Sequence, residues 1–278
     1  MTAPAFALEM LGRQWGEYRR PCPLCERGPK DDALAIRVDD RGCCWVCHRC
    51  GFTGSEPRPS HEASRPAPAP RQDVPTRWSL KAERIWRASQ ALRGSVAQTY
   101  LEGRGCVLPP ADGDLRFLPS RDGHPPCLVA RVTDWATGEP MSLHFTRLRA
   151  DGSGKAGTER DKLLLRGHQK RGGVIRLWPD DAVTSSLAVA EGIESALCAA
   201  HFHAPAWSAI DASNLSGLGV IAGIEQLVVF ADHDAAGINA ARQVVARWQA
   251  AGVRAEAYLP PTPGEDAADV VARHRGAA

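Results

Sequence analysis

The sequence of 278 residues has no apolar run that approaches the roughly 18 to 20 residues of a membrane-spanning helix. Its start, Met1-Thr2-Ala3-Pro4, lacks the charged beginning and the long apolar core of a signal peptide. It also has no Walker-type phosphate loop, which predicts that this chain carries no helicase motor. These absences predict a cytoplasmic protein with no membrane partner. With 44% hydrophobic residues, the chain can build a globular core.

Lysine is absent from residues 183–278, where 5 Arg against 10 Asp and Glu give a net charge of −5. Residues 78–180 hold 17 Lys and Arg against 11 Asp and Glu, which gives +6. A basic segment beside an acidic one suits a polyanion groove next to a metal site. Chance segregation of solvated charges is the alternative.

Aromatic residues are missing from residues 54–77, where Val74 is the only large aliphatic side chain. Six prolines lie in the same stretch. Such a segment cannot form a core, and we interpret it as a semi-extended linker. It separates a Cys-rich domain, residues 1–53, from a body that starts at residue 78.

Nine cysteines in a cytoplasmic protein indicate metal binding or free thiols rather than disulfides. Two C-x2-C pairs, separated by 21 residues, can supply the four thiolates of a tetrahedral zinc site. They predict a zinc ribbon that binds Zn²⁺ through Cys22, Cys25, Cys47 and Cys50. Cys44 and Cys47 form a competing C-x2-C pair, but Gly51 favours Cys47 with Cys50 because it permits a tight turn.

Four other side chains of the Cys-rich domain are not expected to bind the metal. We expect Cys43 and Cys44 to be packing residues and His48 to be a bystander in the knuckle. Trp45 could stack on a nucleic-acid base, but a structural role is at least as strongly indicated.

The body has two patterns. Residues 78–182 combine an amphipathic helix at 80–92 with strands at 127–133, 141–148 and 173–178, which predicts an α+β N-lobe. From residue 184, strands alternate with helices, placed at 192–202 and 236–251, and a last strand follows Gly252 at 253–259. This alternation over 183–278 predicts an α/β domain with a mainly parallel sheet flanked by helices.

Acidic residues follow two buried strands of this sheet. Glu191 follows residues 186–190, and Asp232 and Asp234 follow residues 227–231. Ligands of open α/β sheets bind at the carboxyl ends of the strands, so these carboxylates should converge. Hard oxygen ligands suit Mg²⁺ or Mn²⁺, and such a site typically acts on phosphates.

Ala190-Glu191-Gly192-Ile193-Glu194, followed about 40 residues later by Ala231-Asp232-His233-Asp234, resembles the Toprim signature of topoisomerases and primases. With the zinc ribbon, the arrangement resembles bacteriophage- and mobile-element-type DNA primases. Tyr100-Leu101-Glu102-Gly103-Arg104-Gly105 is similar to a Tyr-Leu-x-x-Arg-Gly element of such proteins.

The resemblance implies a role for each acid. Glu191 matches the general acid/base or metal-linked glutamate, and Asp232 and Asp234 match the DxD metal ligands. Asp266 and Asp269 are similar to a late acidic element of these primases, which implies that they are further ligands of Mg²⁺ or Mn²⁺, although Ala268 stands where an Asn is expected. Simple helix capping is the alternative for all of these acids.

Three further groups have open assignments. Glu194 falls one helical turn after Glu191 and could contact residues of the site without binding the cation itself. His233 is expected to pack or face solvent. The loop 151–155 either presents its lysine to a phosphate or is a hairpin turn. We expect about half of the following basic residues to bind a nucleotide or DNA, the rest being solvated: Arg147, Arg149, Lys155, Arg160, Lys162 and Arg166.

The predicted function is that of a DNA primase, which makes short RNA primers on single-stranded DNA from NTPs by metal-dependent nucleotidyl transfer. A separate replicative helicase is the expected partner. One alternative is a Toprim nuclease with the same metal site. The other is a non-catalytic nucleic-acid-binding regulator, for which the missing Asn leaves room.

Overall fold

The computed structural model describes residues 4–25, 28, 31–58 and 78–276. The chain divides into two compact units, Met1–Ala69 and Pro70–Ala278. No helix of the described ranges is both long enough and apolar enough to cross a membrane.

The first unit is a helix followed by a four-stranded antiparallel sheet in the order β1-β2-β3-β4. Its buried core includes Phe6, Ile36 and Trp45. The sheet extends to Pro57, beyond the predicted domain end at residue 53, because Thr53 to Pro57 pair with β3. The rest of the predicted linker, residues 59–77, lies outside the described residues. The elements are α1 (Ala5–Leu11), β1 (Gly16–Arg20), β2 (Leu34–Val38), β3 (Gly42–Cys47) and β4 (Thr53–Pro57).

The second unit begins with the N-lobe, an antiparallel sheet in the order β5-β6-β7-β8-β9 with β10 paired to β7. One face of β7 and β8 packs on α2, and the opposite face carries Leu128, Ala130 and Val132 into the larger core. The elements are α2 (Leu80–Ala88), β5 (Gln90–Ala91), α3 (Val96–Gly103), β6 (Leu115–Leu118), β7 (Cys127–Asp134), β8 (Pro140–Arg147), β9 (Lys162–Leu164), β10 (Gly173–Val174) and a 3₁₀ turn (Asp180–Ala182).

Two N-lobe predictions were too long. The predicted helix 80–92 ends at Ala88, because Ser89 is extended and Leu92 packs into a different core. The predicted strand 173–178 is reduced to Gly173–Val174, after which Ile175 forms only an isolated bridge with Ser208.

The remainder of the second unit is a four-stranded parallel sheet in the order β12-β11-β13-β14. Buried side chains from both faces of β11 and β13 pack against flanking helices, which is why these strands are almost wholly apolar. The predicted α/β fold with a mainly parallel sheet is confirmed. The elements are β11 (Ser186–Ala190), α4 (Ile193–Ala199), β12 (Ala206–Ser208), α5 (Ala212–Gly217), β13 (Gln226–Phe230), α6 (Ala235–Ala250), β14 (Arg254–Tyr258) and α7 (Ala267–Gly276).

The order of these strands positions the acids. β11 leads through α4 to β12 on one side, whereas β13 pairs with β11 on the other side. Ala190 and Phe230, the last residues of β11 and β13, are directly paired. The loops that follow the two strands therefore meet at a topological switch point, where α/β sheets bind ligands.

Candidate active site and metal centre

The cysteine cluster of the first unit has the geometry of a tetrahedral metal site. The sulfur atoms of Cys22, Cys25, Cys47 and Cys50 all lie within 4.8 Å of one another. The Sγ–Sγ distances are 3.7 Å between Cys22 and Cys50 and 3.6 Å between Cys25 and Cys47. A regular tetrahedron with Zn–S bonds of ~2.3 Å has edges of about 3.8 Å. The four thiols therefore fit a zinc ion.

Backbone and side-chain contacts hold the second knuckle in place. The backbone N–H groups of Arg49 and Cys50 donate to the sulfur of Cys47 at 3.4 and 3.5 Å. Burial raises the pKa of Cys47, but these N–H groups and the thiols of Cys25 and Cys50 together outweigh it and lower the pKa to about 7. Gly51 follows with a φ of +74°, as the predicted tight turn requires.

An ion pair that the sequence did not reveal supports the cluster. The Arg49 guanidinium donates to both oxygens of Asp31, at 2.7 and 2.8 Å, and to the carbonyl oxygen of Cys25 at 2.9 Å. Asp31 is nearly buried, with 2% of its side chain exposed. The bond from Arg49 to the carbonyl of Cys25 joins the two knuckles, and the bidentate pair with Asp31 holds the guanidinium in place, as outer-shell partners of metal sites commonly do.

The other side chains of the ribbon divide as follows. Cys43 is buried and its thiol donates to the carbonyl of Ala7, but Cys44 is exposed, so packing was the wrong expectation for Cys44. Trp45 packs on Phe6 with ring centroids 5.2 Å apart, a structural position. His48 is exposed and lies outside the four-cysteine group.

Glu191 and Asp232 lie at the carboxyl ends of β11 and β13. Glu191 Oε1 and Asp232 Oδ1 are both buried, and neither has a hydrogen-bond partner among the described residues. Gly237, in the first turn of α6, borders both residues: a Cβ there would lie 2.9 Å from Glu191 Oε1 and 2.3 Å from the carbonyl oxygen of Asp232. A glycine is thus required for the two acids to approach this helix.

Electrostatics mark the same two acids as a functional pair. Burial and the charges of Asp232, Asp234 and Asp211 raise the pKa of Glu191 to about 8. Burial and the charges of Asp266 and Asp234 raise the pKa of Asp232 to about 6. A buried carboxylate oxygen without a hydrogen-bond partner is costly, and a divalent cation would satisfy Glu191 Oε1 and Asp232 Oδ1. The oxygen-rich donor set suits Mg²⁺ or Mn²⁺.

The carboxylate oxygens of the acids are not gathered as closely as the four sulfur atoms of the cysteine cluster. Among residues 4–25, 28, 31–58 and 78–276, the four cysteines are the only group of three or more metal-binding side chains whose ligand atoms lie within 4.8 Å of one another. One oxygen of Asp234 accepts from the backbone N–H groups of Ala236 and Gly237 and caps α6. Helix capping, the alternative role considered for the acids, is therefore observed for this oxygen of Asp234.

Asp266 and Asp269 form a capping box at the start of α7. Each side chain accepts a hydrogen bond of 3.0 Å from the backbone N–H of the other. The second oxygen of Asp266 accepts from Ser195 Oγ at 2.9 Å, which connects this acidic pair to α4. The pair thus has a structural role and adds negative charge beside Asp232.

Glu194 is a buried centre of contacts between the N-lobe and the sheet. Tyr100 Oη donates to Glu194 Oε1 at 2.7 Å, and Lys162 Nζ lies 3.0 Å from Oε2. Lys155 Nζ lies 3.4 Å from Oε1. Burial raises the pKa of Glu194, but the two lysines and Tyr100 outweigh it and hold the pKa well below its usual range. Glu194 is therefore ionised near neutral pH.

The predicted basic residues do not form one group. Lys155 and Lys162 come together on Glu194, whereas Arg147 bonds Thr158 and the carbonyl of Arg160, and Arg166 is exposed. The loop 151–155 is a hairpin turn, closed by the bridge between Leu148 and Lys155, and its end still delivers Lys155 to Glu194. His233 is held by the carbonyl of Pro260, in agreement with a packing role.

Asp211 is a site residue that sequence reasoning missed. It follows Ile210, which has a φ of +74°, a strained conformation for a β-branched residue. Asp211 caps α5 through Asn214 N and pairs with Lys170, and its charge acts on Glu191. No local sequence signal marks it, because only the fold brings the end of β12 to this edge.

The part of the chain that contains the acidic residues matches a known protein family. Residues 186–278 match the family model of the Toprim domain. This part of the chain is a Toprim domain. The fold predicted from Glu191, Asp232 and Asp234 is thereby confirmed. Residues 76–177 match a domain of unknown function (DUF7146), and this match assigns no function to the N-lobe. No curated protein matches the chain.

Several solved structures are similar to the chain that contains this Toprim domain. The primase fragment of the bacteriophage T7 primase-helicase is 15% identical, with 92% of this chain and 95% of that one covered and a TM-score of 0.43. The zinc-binding and RNA polymerase domains of the Aquifex aeolicus primase are 14% identical, with 92% and 75% covered and a TM-score of 0.45. The RNA polymerase domain of the Mycobacterium tuberculosis primase is 18% identical, with 70% and 80% covered and a TM-score of 0.38.

Proposed function

We propose that this protein is a DNA primase, an RNA-polymerising nucleotidyltransferase that makes short primers on single-stranded DNA. One observation carries the proposal: Glu191 and Asp232, at the switch point of a Toprim domain, each have one buried carboxylate oxygen without a hydrogen-bond partner among the described residues, and the ammonium charge of Lys162 acts on Asp232. Carboxylates that can bind a cation, next to a positively charged ammonium group that can bind phosphates, suit a nucleoside triphosphate.

Each residue has a role in this proposal. Asp232, with Asp234 beside it, would hold Mg²⁺ or Mn²⁺, and the cation supplies charge neutralisation at the reacting phosphate. Glu191, whose pKa is raised to about 8, would accept the proton of the attacking 3′-hydroxyl group. Asp266 and Asp269 would add negative charge next to Asp232.

The basic side chains would neutralise the triphosphate. Lys155 and Lys162 are the strongest candidates because both ammonium groups lie on the Toprim side of the N-lobe, at Glu194. Arg147 and Arg166 would contact the template or the primer backbone. Arg166 is exposed and Arg147 is half-buried, which leaves both accessible for phosphate contacts that position a nucleic acid without reading its sequence.

The four-cysteine cluster would bind Zn²⁺ and fold the ribbon, which would then grip or select the single-stranded template. A separate helicase would supply that template, since the sequence contains no Walker-type loop. Free cysteines and a zinc site are consistent with a cytoplasmic location. The resemblance of the sequence to primases of phages and mobile elements supports a role in the replication of such an element.

Primer synthesis tests the proposal directly. The purified chain is incubated with single-stranded DNA, labelled NTPs and Mg²⁺ or Mn²⁺, and the products are separated on a denaturing gel. Template-dependent products that ribonuclease destroys are the expected result. Metal-dependent shortening of the DNA would identify a Toprim nuclease instead, and DNA binding without either reaction would identify a regulator.

A further inference from the structure

Two lysines of the N-lobe are anchored on one buried carboxylate of the Toprim domain. Glu194 is 5% exposed, and its two oxygens receive Lys155, Lys162 and the hydroxyl of Tyr100. The side chains of Lys155 and Lys162 are 37% and 44% exposed, so the ion pairs with Glu194 do not enclose them. An ammonium group has three donors and can bind a second anion while it keeps the first.

The anchored ammonium groups lie at the reacting edge of the sheet. A Cβ on Gly192, the residue after Glu191, would lie 3.7 Å from Lys162 Nζ and 3.8 Å from Glu194 Oε2. Lys162 is also among the charges that act on Asp232. The lysine is thus fixed beside the acids that would hold the cation, but it is bonded to a different carboxylate.

The strand pairing of the N-lobe determines the face of the sheet on which the Lys162 side chain lies. Lys162 pairs with Thr146 across β8 and β9, and His144 pairs with the next residue but one, Leu164. Paired residues of an antiparallel sheet share a face, so Lys162 leaves the sheet on the same side as Thr146 and His144. Both of these are buried, and Thr146 Oγ1 and His144 Nδ1 have no hydrogen-bond partner among the described residues.

We propose that Glu194 is a positioning residue, which holds Lys155 and Lys162 at the carboxyl end of β11 to receive the triphosphate of the incoming nucleotide. The proposal rests on the proposed primase function. Its physical reason is competition between carboxylates. Without Glu194, Lys162 would be free to pair with Asp232 or Glu191, and this pairing would withdraw it from the phosphate and obstruct the cation site.

The test is Glu194→Gln, which keeps the size of the side chain and removes its charge. We expect the KM for NTPs in primer synthesis to rise about 10-fold, with a much smaller change in kcat, because a charge-assisted contact to the ground-state triphosphate is lost. Tyr100→Phe is the matched control. It removes the third contact of Glu194 without freeing a lysine, and it should lower thermal stability with KM unchanged.

A variant without the two lysines distinguishes positioning from general loss of structure. In a Lys155→Gln/Lys162→Gln background, adding Glu194→Gln should leave the KM where the double variant has set it. An unchanged or lower KM in Glu194→Gln alone would overturn the proposal, since a lower value would mean that Glu194 competes with phosphate for the lysines. An equal increase of KM in the background without the lysines would overturn it as well.

Failure of the primase function has a different signature. If the wild-type chain makes no primers, the same variants are compared by calorimetric titration with ATP and Mg²⁺. A dissociation constant about 10-fold higher for Glu194→Gln than for the wild type supports the positioning role by itself. Equal ATP affinity in the two proteins would contradict it.

Discussion

Gly237 leaves no room for a side chain beside Glu191: a Cβ on Gly237 would lie 2.9 Å from Glu191 Oε1. The same Cβ would lie 2.3 Å from the backbone carbonyl of Asp232. The first turn of α6 is thus packed on both acids, and the absence of a side chain at residue 237 is part of the site.

Gly237→Ala should therefore damage both the site and the fold. The carbonyl of Asp232 belongs to the backbone and cannot move aside cheaply, so the loop after β13 has to shift. We expect the free energy of unfolding to fall by about 1–3 kcal/mol, with a clear loss of primer synthesis. Urea unfolding and the primer assay measure the two effects. Gly217→Ala is the control, because a Cβ there meets nothing within 4 Å; equal behaviour of the two variants would refute the steric account.

The cysteine cluster predicts one zinc ion per chain, bound by four thiolates. Cys50→Ser should abolish stoichiometric zinc and unfold the first unit, because a structural zinc site supplies much of the folding free energy of a small domain. Cys44→Ser should keep the ion, since Cys44 is exposed as Cys50 is but lies outside the cluster. Elemental analysis and circular dichroism provide the readouts. Loss of zinc in both variants would show that the ligands are assigned wrongly.

His144 predicts a specific loss of stability in acid. Burial lowers its pKa to about 4; the charges of Lys162 and Lys170 act in the same direction, and those of Glu194 and Asp211 oppose it. Between pH 6.5 and 4, the unfolded chain binds a proton at this residue and the folded chain does not, so stability falls as the pH falls. At 1.36 kcal/mol per pH unit, the contribution reaches at most about 3 kcal/mol.

His144→Leu should remove this dependence. Unfolding of the second unit is measured in urea at several pH values for the wild type and the variant. The difference in free energy of unfolding between the two proteins should change in favour of His144→Leu as the pH falls from 6.5 to 4. A difference that does not vary with pH would mean that His144 is protonated equally in both states.

The sequence predicted the elements whose signals are local. The strand at 127–133 is observed as Cys127–Asp134 and the helix at 236–251 as Ala235–Ala250, because apolar periodicity and strand-end acids are properties of a short window. The positions of Glu191 and Asp232 follow from the same local signals plus the rule for parallel sheets.

The missed features depend on contacts between distant residues. Tyr100 lies 94 residues from Glu194, and Lys162 lies 32 residues from it, so no window of sequence contains the cluster. The pair of Arg49 with Asp31 joins residues that are 18 positions apart in the sequence. The position of Asp211 depends on the strained turn at Ile210. β-Branched residues disfavour the positive φ of this turn, so the sequence does not predict it.

In the proposed reaction, the acids of the Toprim domain bind a divalent cation and form RNA on a DNA template. It is tested most directly by comparing primer synthesis by the wild type, Asp232→Asn and Asp112→Asn under identical conditions. Asp112 is an exposed acid of the N-lobe and serves as the control for loss of one charge. We predict template-dependent RNA from the wild type and from Asp112→Asn, and a decrease of at least about 100-fold for Asp232→Asn. Equal synthesis by Asp232→Asn and the wild type would contradict the account.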